Sequence, residues 1–256
     1  MSELSSALAV ETRLDAGVLS IELNRPDRLN ALNFDSLATL TSVLEDADSN
    51  PDVRVITLSG RGRGFCSGWD RHAGIAGDAG ALRLDSVGRG AVDALHLVRQ
   101  PTIAVLQGPI IGGGVVLAAS CDLRIASSDA YFWLPEGMFG SPLLWTGLAP
   151  LVREVGFSAT RDLAFMGEKR DVLWAREKGL VHDVHTVDAV APTASRLAQR
   201  LAELPPAGVQ GMKRDLAQIE THSIPRKHPY GASDILEAVT SDSFRAAMSR
   251  SSAVHS

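Results

Sequence analysis

Along residues 18–24, VLSIELN, apolar and polar side chains alternate, the period of a strand with one face buried. After RPDRLNALN turns the chain, the spacing changes. Phe34, Leu37, Leu40, Leu44 and Ala47 recur at helical steps and predict an amphipathic helix over 34–48. SNPD ends it, and VRVITLSG, 53–60, reads as a second strand. The Gly-rich turn GRGRGFCSGWD follows. Residues 71–90 are small and polar, with glycines at 74, 77, 80, 88 and 90, and most of them are expected to form a mobile loop. A helix near 91–99 leads to a third strand at 102–108. Three glycines then open an apolar helix over 114–121, followed by a fourth strand, DLRIAS, at 122–127 and a returning AYFWLPE.

After about residue 140 helical patterns succeed one another, at 157–166, 171–178, 189–204, 207–221 and 233–250, with VHDVH (181–185) the only strand expected there. Pro206 suits the first turn of the fourth of these helices. The order predicts an α/β fold in which a ββα-like unit recurs as topology rather than as sequence repeat. The expected division is a core over 1–200 and a C-terminal helical region over 201–256 that packs on a neighbouring subunit.

Composition narrows the function classes. The chain has 256 residues, 45% apolar and 21% charged, enough for one large domain with a sizeable core. Basic and acidic residues number 25 and 30, for a net charge of -5, and no basic run offers a nucleic-acid footprint. No CxxC or HExxH spacing points to zinc. The opening MSELSSALAVETR lacks a basic stretch followed by an apolar one, and no run approaches the roughly 20 apolar residues of a membrane span. With only Cys66 and Cys121, on distant segments, a reduced cytoplasmic protein is expected.

Two glycine turns carry the candidate chemistry. In GRGFCSGWD, glycines let main-chain N–H groups approach a ligand; the same residues also suit a plain tight turn. In GPIIGGGVVLAAS, 108–120, glycines at a helix entrance leave amides without intrahelical partners at the positive end of the helix dipole. That geometry suits a phosphate or a thioester oxyanion, although close helix packing is the commoner explanation of a lone GGG. Neither a P-loop nor a GxGxxG fingerprint is present.

Taken with LNRPDRLNAL (23–32), QGPIIGGGVVLAASCDLRIAS (107–127), LPEGMFG (134–140) and GEKRDVLWAREKGLVHDV (167–184), the chain resembles the enoyl-CoA hydratase/isomerase, or crotonase, superfamily over about residues 10–190. The resemblance implies a crotonase-like spiral of ββα units with a C-terminal helical region, acyl-CoA thioester substrates of fatty acid metabolism with no separate cofactor, and homotrimers or hexamers. It assigns the oxyanion hole to the backbone N–H groups of Trp69 and Gly113. Arg28 is implied near the coenzyme A phosphates, the backbone at Cys66 and Gly68 along the adenine side, and Arg245 at a neighbouring subunit's ligand. Arg28 also reads as an ordinary surface charge.

Two glutamates do hydratase chemistry in that family. The position of the first is Val116 here, and the second matches Glu136. Water addition divides naturally between two carboxylates, whereas one base can carry a proton from C2 to C4 of an enoyl thioester. The expectation is therefore an isomerase-like, single-glutamate enzyme, with Glu136 as base, Val116 in a dry wall and a carboxyl pKa raised by burial. Alternatives are a hydratase with a non-standard acid/base set and a non-catalytic acyl-CoA binder. In SPLLWTG, 141–147, the position of another family acid reads Leu144, and Trp145 is expected in the acyl pocket or, equally, in the core or at a trimer contact. Asp70, His72 and His96 read as structural or surface residues, and both cysteines as buried fillers.

Overall fold

The alternation at 18–24 becomes β2 (Val18–Leu23), which buries Leu19, Ile21 and Leu23. It pairs antiparallel with β1 (Val10–Asp15), an edge strand whose VETRLD buries only Val10. β1 has no alternation to announce it; β2 and the main-chain bond from Asn24 to the Ala9 carbonyl hold it in place. The computed structural model describes residues 9–73, 77–223 and 240–242.

β3 (Val55–Gly60), β4 (Thr102–Leu106), β6 (Leu123–Ser127) and β9 (Asp183–His185) extend the sheet in parallel, in the order β1-β2-β3-β4-β6-β9. A second sheet, β5-β7-β8, joins β5 (Pro109–Ile111), β7 (Tyr131–Trp133) and β8 (Arg170–Asp171). β8 is a second strand in the region where only 181–185 was expected, too short to give a period. β3 and β4 are buried on both faces, as strands between helices must be. On one face, Val55, Ile103 and Ile125 meet Val190, Ala194 and Ala198 of α6 (Val187–Glu203). On the other, Ile56, Leu58 and Ala104 join a core with Leu37, Leu40 and Leu44 of α1 (Phe34–Ser49). α1 begins at a reciprocal cap: Asn33 Oδ1 accepts from the Ser36 amide at 2.8 Å, and Ser36 Oγ from the Asn33 amide at 2.9 Å.

The expected loop at 71–90 is corrected. Residues Gly77–Leu97 form one helix, α2. Ala81, Leu84, Ala91, Val92 and Leu95 are buried from it at helical spacing. Its glycines serve packing at least at Gly88, where a Cβ would lie 2.2 Å from the Trp145 indole.

α3 (Gly113–Ser120) is buried along all eight residues. Its last carbonyls receive the guanidinium of Arg124, which is 0% exposed. Arg124 donates to the Ala118 carbonyl at 3.4 Å, the Cys121 carbonyl, the Leu180 carbonyl at 2.6 Å, and the Glu154 carboxylate. α4 (Leu148–Met166), which carries Glu154, starts nine residues before the expected 157 and is interrupted at Gly156 (φ 72°). α5 (Val172–Glu177) follows.

α6 crosses the expected boundary at 200 and belongs to the sheet layers. α7 (Pro206–Ser223) begins at Pro206 as predicted and is tied down through Lys213, which donates to the Gln100 carbonyl at 2.9 Å and to Asp122 at 2.7 Å. Met212, Leu216 and Ile219 are exposed along it. The helix expected at 233–250 lies almost wholly outside the described residues. Among those described, no helix is long and apolar enough to cross a membrane.

Removing Arg124 leaves carbonyls of α3 and the carboxylate of Glu154 without their cation. Arg124→Met is expected to lower the unfolding free energy by about 3 kcal/mol in urea denaturation.

Candidate active site

Three turns meet at the C-terminal ends of β2, β3 and β5, and side chains hold them together. In RPDRLNAL, a turn of 3-10 helix over Pro26–Arg28 leads into Leu29 and Asn30, both left-handed (φ 49° and 56°). Asn30 suits that backbone because its short amide bonds locally. It accepts from the Arg25 amide at 2.9 Å and donates to the Arg61 and Gly64 carbonyls at 3.0 and 2.8 Å, fastening the first turn to the second. Arg25 in turn donates to the Ala31 carbonyl at 2.6 Å and pairs with Asp70 at 2.7 Å. Burial pushes the Asp70 carboxyl up. The hydrogen bonds from Arg25 and the His72 amide, with the Arg25 charge, outweigh it and hold the group below its ordinary value. Asp70 is thus structural.

The Leu32 amide donates to the Gly68 carbonyl and the Asp70 amide to the Leu32 carbonyl, each at 2.7 Å. The Trp69 amide between them donates to no group among the described residues. The second turn lies directly on the third. A Cβ on Gly68 (φ 83°) would come within 2.9 Å of the Ile111 carbonyl oxygen and 3.6 Å of the Gly113 nitrogen. That nitrogen, the first of α3, is likewise free of an acceptor among the described residues.

Each of the three glycines at the head of α3 meets a different neighbour. A Cβ on Gly112 would sit 2.4 Å from Glu136 Oε1, on Gly113 2.3 Å from the Trp145 ring, and on Gly114 2.6 Å from the Cys66 carbonyl oxygen. Gly112 also has φ 51°. The run exists because a carboxylate, an indole and a main chain all touch the helix entrance.

Glu136 opens a 3-10 turn, Glu136–Phe139, closed by left-handed Gly140. Its Oε2 is buried without a hydrogen-bond partner among the described residues. Burial raises the carboxyl to about 7, with only a hydrogen bond from its own backbone acting the other way.

A cleft of about 930 Å³ joins these parts. Arg28, Gly68, Trp69, Gly113, Glu136 and Trp145 all line it. Two expected residues do not. Val116 is fully buried in the apolar core, its Cγ2 2.7 Å from where a Cβ on Gly147 would stand. Cys66 is also fully buried. Its amide donates to the Pro109 carbonyl and its carbonyl accepts from the Ile111 amide, so its backbone is committed to the turn. Burial pushes its thiol up to about 12, as it does that of Cys121.

Among the cleft's other acids, Asp70 is paired and Asp27 is exposed on the surface. Sequence reasoning missed the cations Arg63, Arg71 and Lys169. The Lys169 ammonium lies 5.0 Å from the Tyr131 ring and 5.3 Å from the Trp133 ring. Only the apolar-aromatic YFW run hinted at such a seat. His72 reaches the rim, whereas His96 lies 3.4 Å from Glu220 of α7, away from the cleft. Arg245 lies outside the described residues.

The sequence matches the profile of the enoyl-CoA hydratase/isomerase family over residues 13–250. The chain belongs to that family. A probable enoyl-CoA hydratase of Mycobacterium leprae is 34% identical over 222 residues, 80% of this chain and 75% of its own. A peroxisomal Delta(3,5)-Delta(2,4)-dienoyl-CoA isomerase of Arabidopsis thaliana is 29% identical, over 94% of this chain and 91% of its own. A crystal structure described as a monofunctional enoyl CoA isomerase from M. smegmatis superposes with a TM-score of 0.72 at 32% identity, covering 84% of this chain and 94% of its own. The α/β architecture is thus the crotonase fold, and its members' names cover both hydration and isomerisation.

The raised carboxyl of Glu136 has a consequence for stability. The fold favours the protonated form, so ionisation destabilises the native state as pH rises from about 4.5, the ordinary value, through about 7. Glu136→Gln has no charge to bury. Its melting temperature relative to wild type is expected to rise between pH 5 and pH 8, read by paired thermal melts.

Proposed function

We propose that this chain is an enoyl-CoA isomerase-type enzyme in which one carboxylate does the proton transfers. The observation that carries the reading is Glu136: a buried carboxyl, unpartnered at Oε2 and poised near 7, beside the entrance of α3. No second free buried acid among the described residues shares the cleft.

With a 3-enoyl thioester bound, ionised Glu136 takes a proton from C2. The electron pair of that C–H bond spreads through the carbonyl and the double bond to give a dienolate. The amides of Trp69 and Gly113 donate to its oxygen, an arrangement supported by their lack of acceptors and by the contact of Gly68 with Gly113. Protonated Glu136 returns the proton to C4, the double bond closes between C2 and C3, and the carboxylate is regenerated. A pKa near the working pH suits a group that must both take and give.

Arg28, Arg63, Arg71 and Lys169 supply positive charge on the cleft for the coenzyme A phosphates. The exposed apolar residues of α7 support assembly into trimers or hexamers. A second reading, hydration, is favoured by the naming of the Mycobacterium leprae relative. There Glu136 alone would deprotonate water for C3 and reprotonate C2.

Incubation with trans-3-hexenoyl-CoA and, separately, crotonyl-CoA distinguishes them. Migration of the double bond in the first is expected. Water addition to the second without migration would establish hydration instead, and binding without turnover a carrier. Glu136→Gln is expected to lower isomerisation about a thousandfold, and wild-type kcat/KM to rise with pH to a plateau above about 7, because the base must be ionised. Wild-type turnover by the variant would remove Glu136 from the mechanism.

A further inference from the structure

We infer that the indole of Trp145 is a fixed stop at the end of the acyl site, so that this chain takes short acyl thioesters and excludes long ones. The inference rests on the acyl-CoA reading above but not on which reaction follows.

The lining of the cleft divides by chemistry. Arg28, Arg63, Arg71 and Lys169 bring positive charge; Leu84, Leu143, Leu144 and Trp145 are apolar. The acyl chain belongs against the apolar residues, of which Trp145 lies at Gly113. There the indole, 4% exposed, fills the gap between two helices. One edge lies against Gly113 of α3, where a Cβ would be 2.3 Å from the ring, and the other against Gly88 of α2, where it would be 2.2 Å away. No side chain larger than hydrogen fits at either contact while the ring is present. Around that gap stand Leu84, one turn before Gly88 on the same helix, and Leu32, whose Cδ1 would be 3.4 Å from a Cβ on Gly113. These are apolar walls. Emptied of the indole, they would take further methylenes of a chain lying past Gly113.

The ring cannot swing aside as a gate would. Trp145 and Thr146 are both left-handed (φ 65° and 54°), a backbone that bulky and β-branched residues avoid and that surrounding structure must impose. Asp85 of α2 does so: its Oδ1 accepts from the Trp145 amide at 2.9 Å, and its Oδ2 is paired with Arg89 at 2.6 Å. Asp85 is 1% exposed, so this hold on the Trp145 main chain is a buried one. The segment is pinned to α2 at its backbone and to α2 and α3 at its ring.

The test is the affinity of the full chain for hexanoyl-CoA and dodecanoyl-CoA, saturated thioesters that bind without reacting, by titration calorimetry of wild type, Trp145→Phe and Trp145→Ala. Wild type is expected to bind hexanoyl-CoA more tightly. The ratio of the two dissociation constants is expected to move towards dodecanoyl-CoA by about tenfold or more in Trp145→Ala and by less in Trp145→Phe, which keeps an aromatic ring and guards against loss of the fold. Wild type preferring dodecanoyl-CoA, or a ratio unmoved in a folded variant, overturns the stop while leaving acyl-CoA binding intact. Failure of wild type to bind either thioester overturns both the stop and the acyl-CoA reading.

Discussion

A helix buried on every side has polar groups only at its ends, and the site depends on how the two ends of α3 are met. Its eight residues carry no polar face, and α2, α4 and β5 pack around it. The carbonyl end is neutralised within the protein by Arg124, itself buried and satisfied by carbonyls and Glu154. The amide end faces the cleft instead. A helix dipole closed by a cation at one end and left open at the other concentrates donors where an oxygen can reach them. Glycine at the first positions follows from crowding at that open end, where three different neighbours come closer than a Cβ allows.

The polar side chains around the cleft are mostly spent on holding main chain in place. Asn30 ties the RPDRLNAL turn to the GRGFCSGWD turn, the Arg25–Asp70 pair braces the stretch that presents Trp69, and Asp85 fixes the backbone of Trp145. Their bonds lie in partly or fully buried settings, where an unmade bond is costly. Reactive capacity is concentrated by the same economy. With Asp70 and Asp85 committed, Glu136 is the buried carboxylate on this cleft whose oxygen remains unpartnered among the described residues.

The sequence made legible whatever announces itself by period or by backbone requirement. β2, α1 and β3, the apolar helix behind the three glycines and the proline start of α7 stand within a few residues of where the pattern puts them. Both glycine turns and Glu136 come together at one cleft. What stayed hidden depends on partners distant in the chain. The glycines of α2 look like a loop because the indole that fills the space over Gly88 comes from 57 residues further on. β1 is a strand because β2 offers it an edge. Asp85 and Lys169 carry no local motif, and Cys66 and Val116, placed by resemblance at the ligand, face the interior because the turns consume the backbone of one and the segment at Gly147 covers the other.

That covering bears on why a single carboxylate would suffice. Val116 is sealed by the chain at 141–147: Gly147 has no room for a Cβ against it, and the neighbouring Trp145 closes over Gly113. A carboxylate at 116 would be buried in an apolar core, where loss of hydration favours its protonated form. The difference from a two-acid site is therefore spread over a whole segment. The valine, the glycine opposite it and the tryptophan pinned by Asp85 pack as one unit. A second ionised group at 116 would require that segment to be rebuilt, and on the proposed reading Glu136 and the amides of Trp69 and Gly113 carry the chemistry instead.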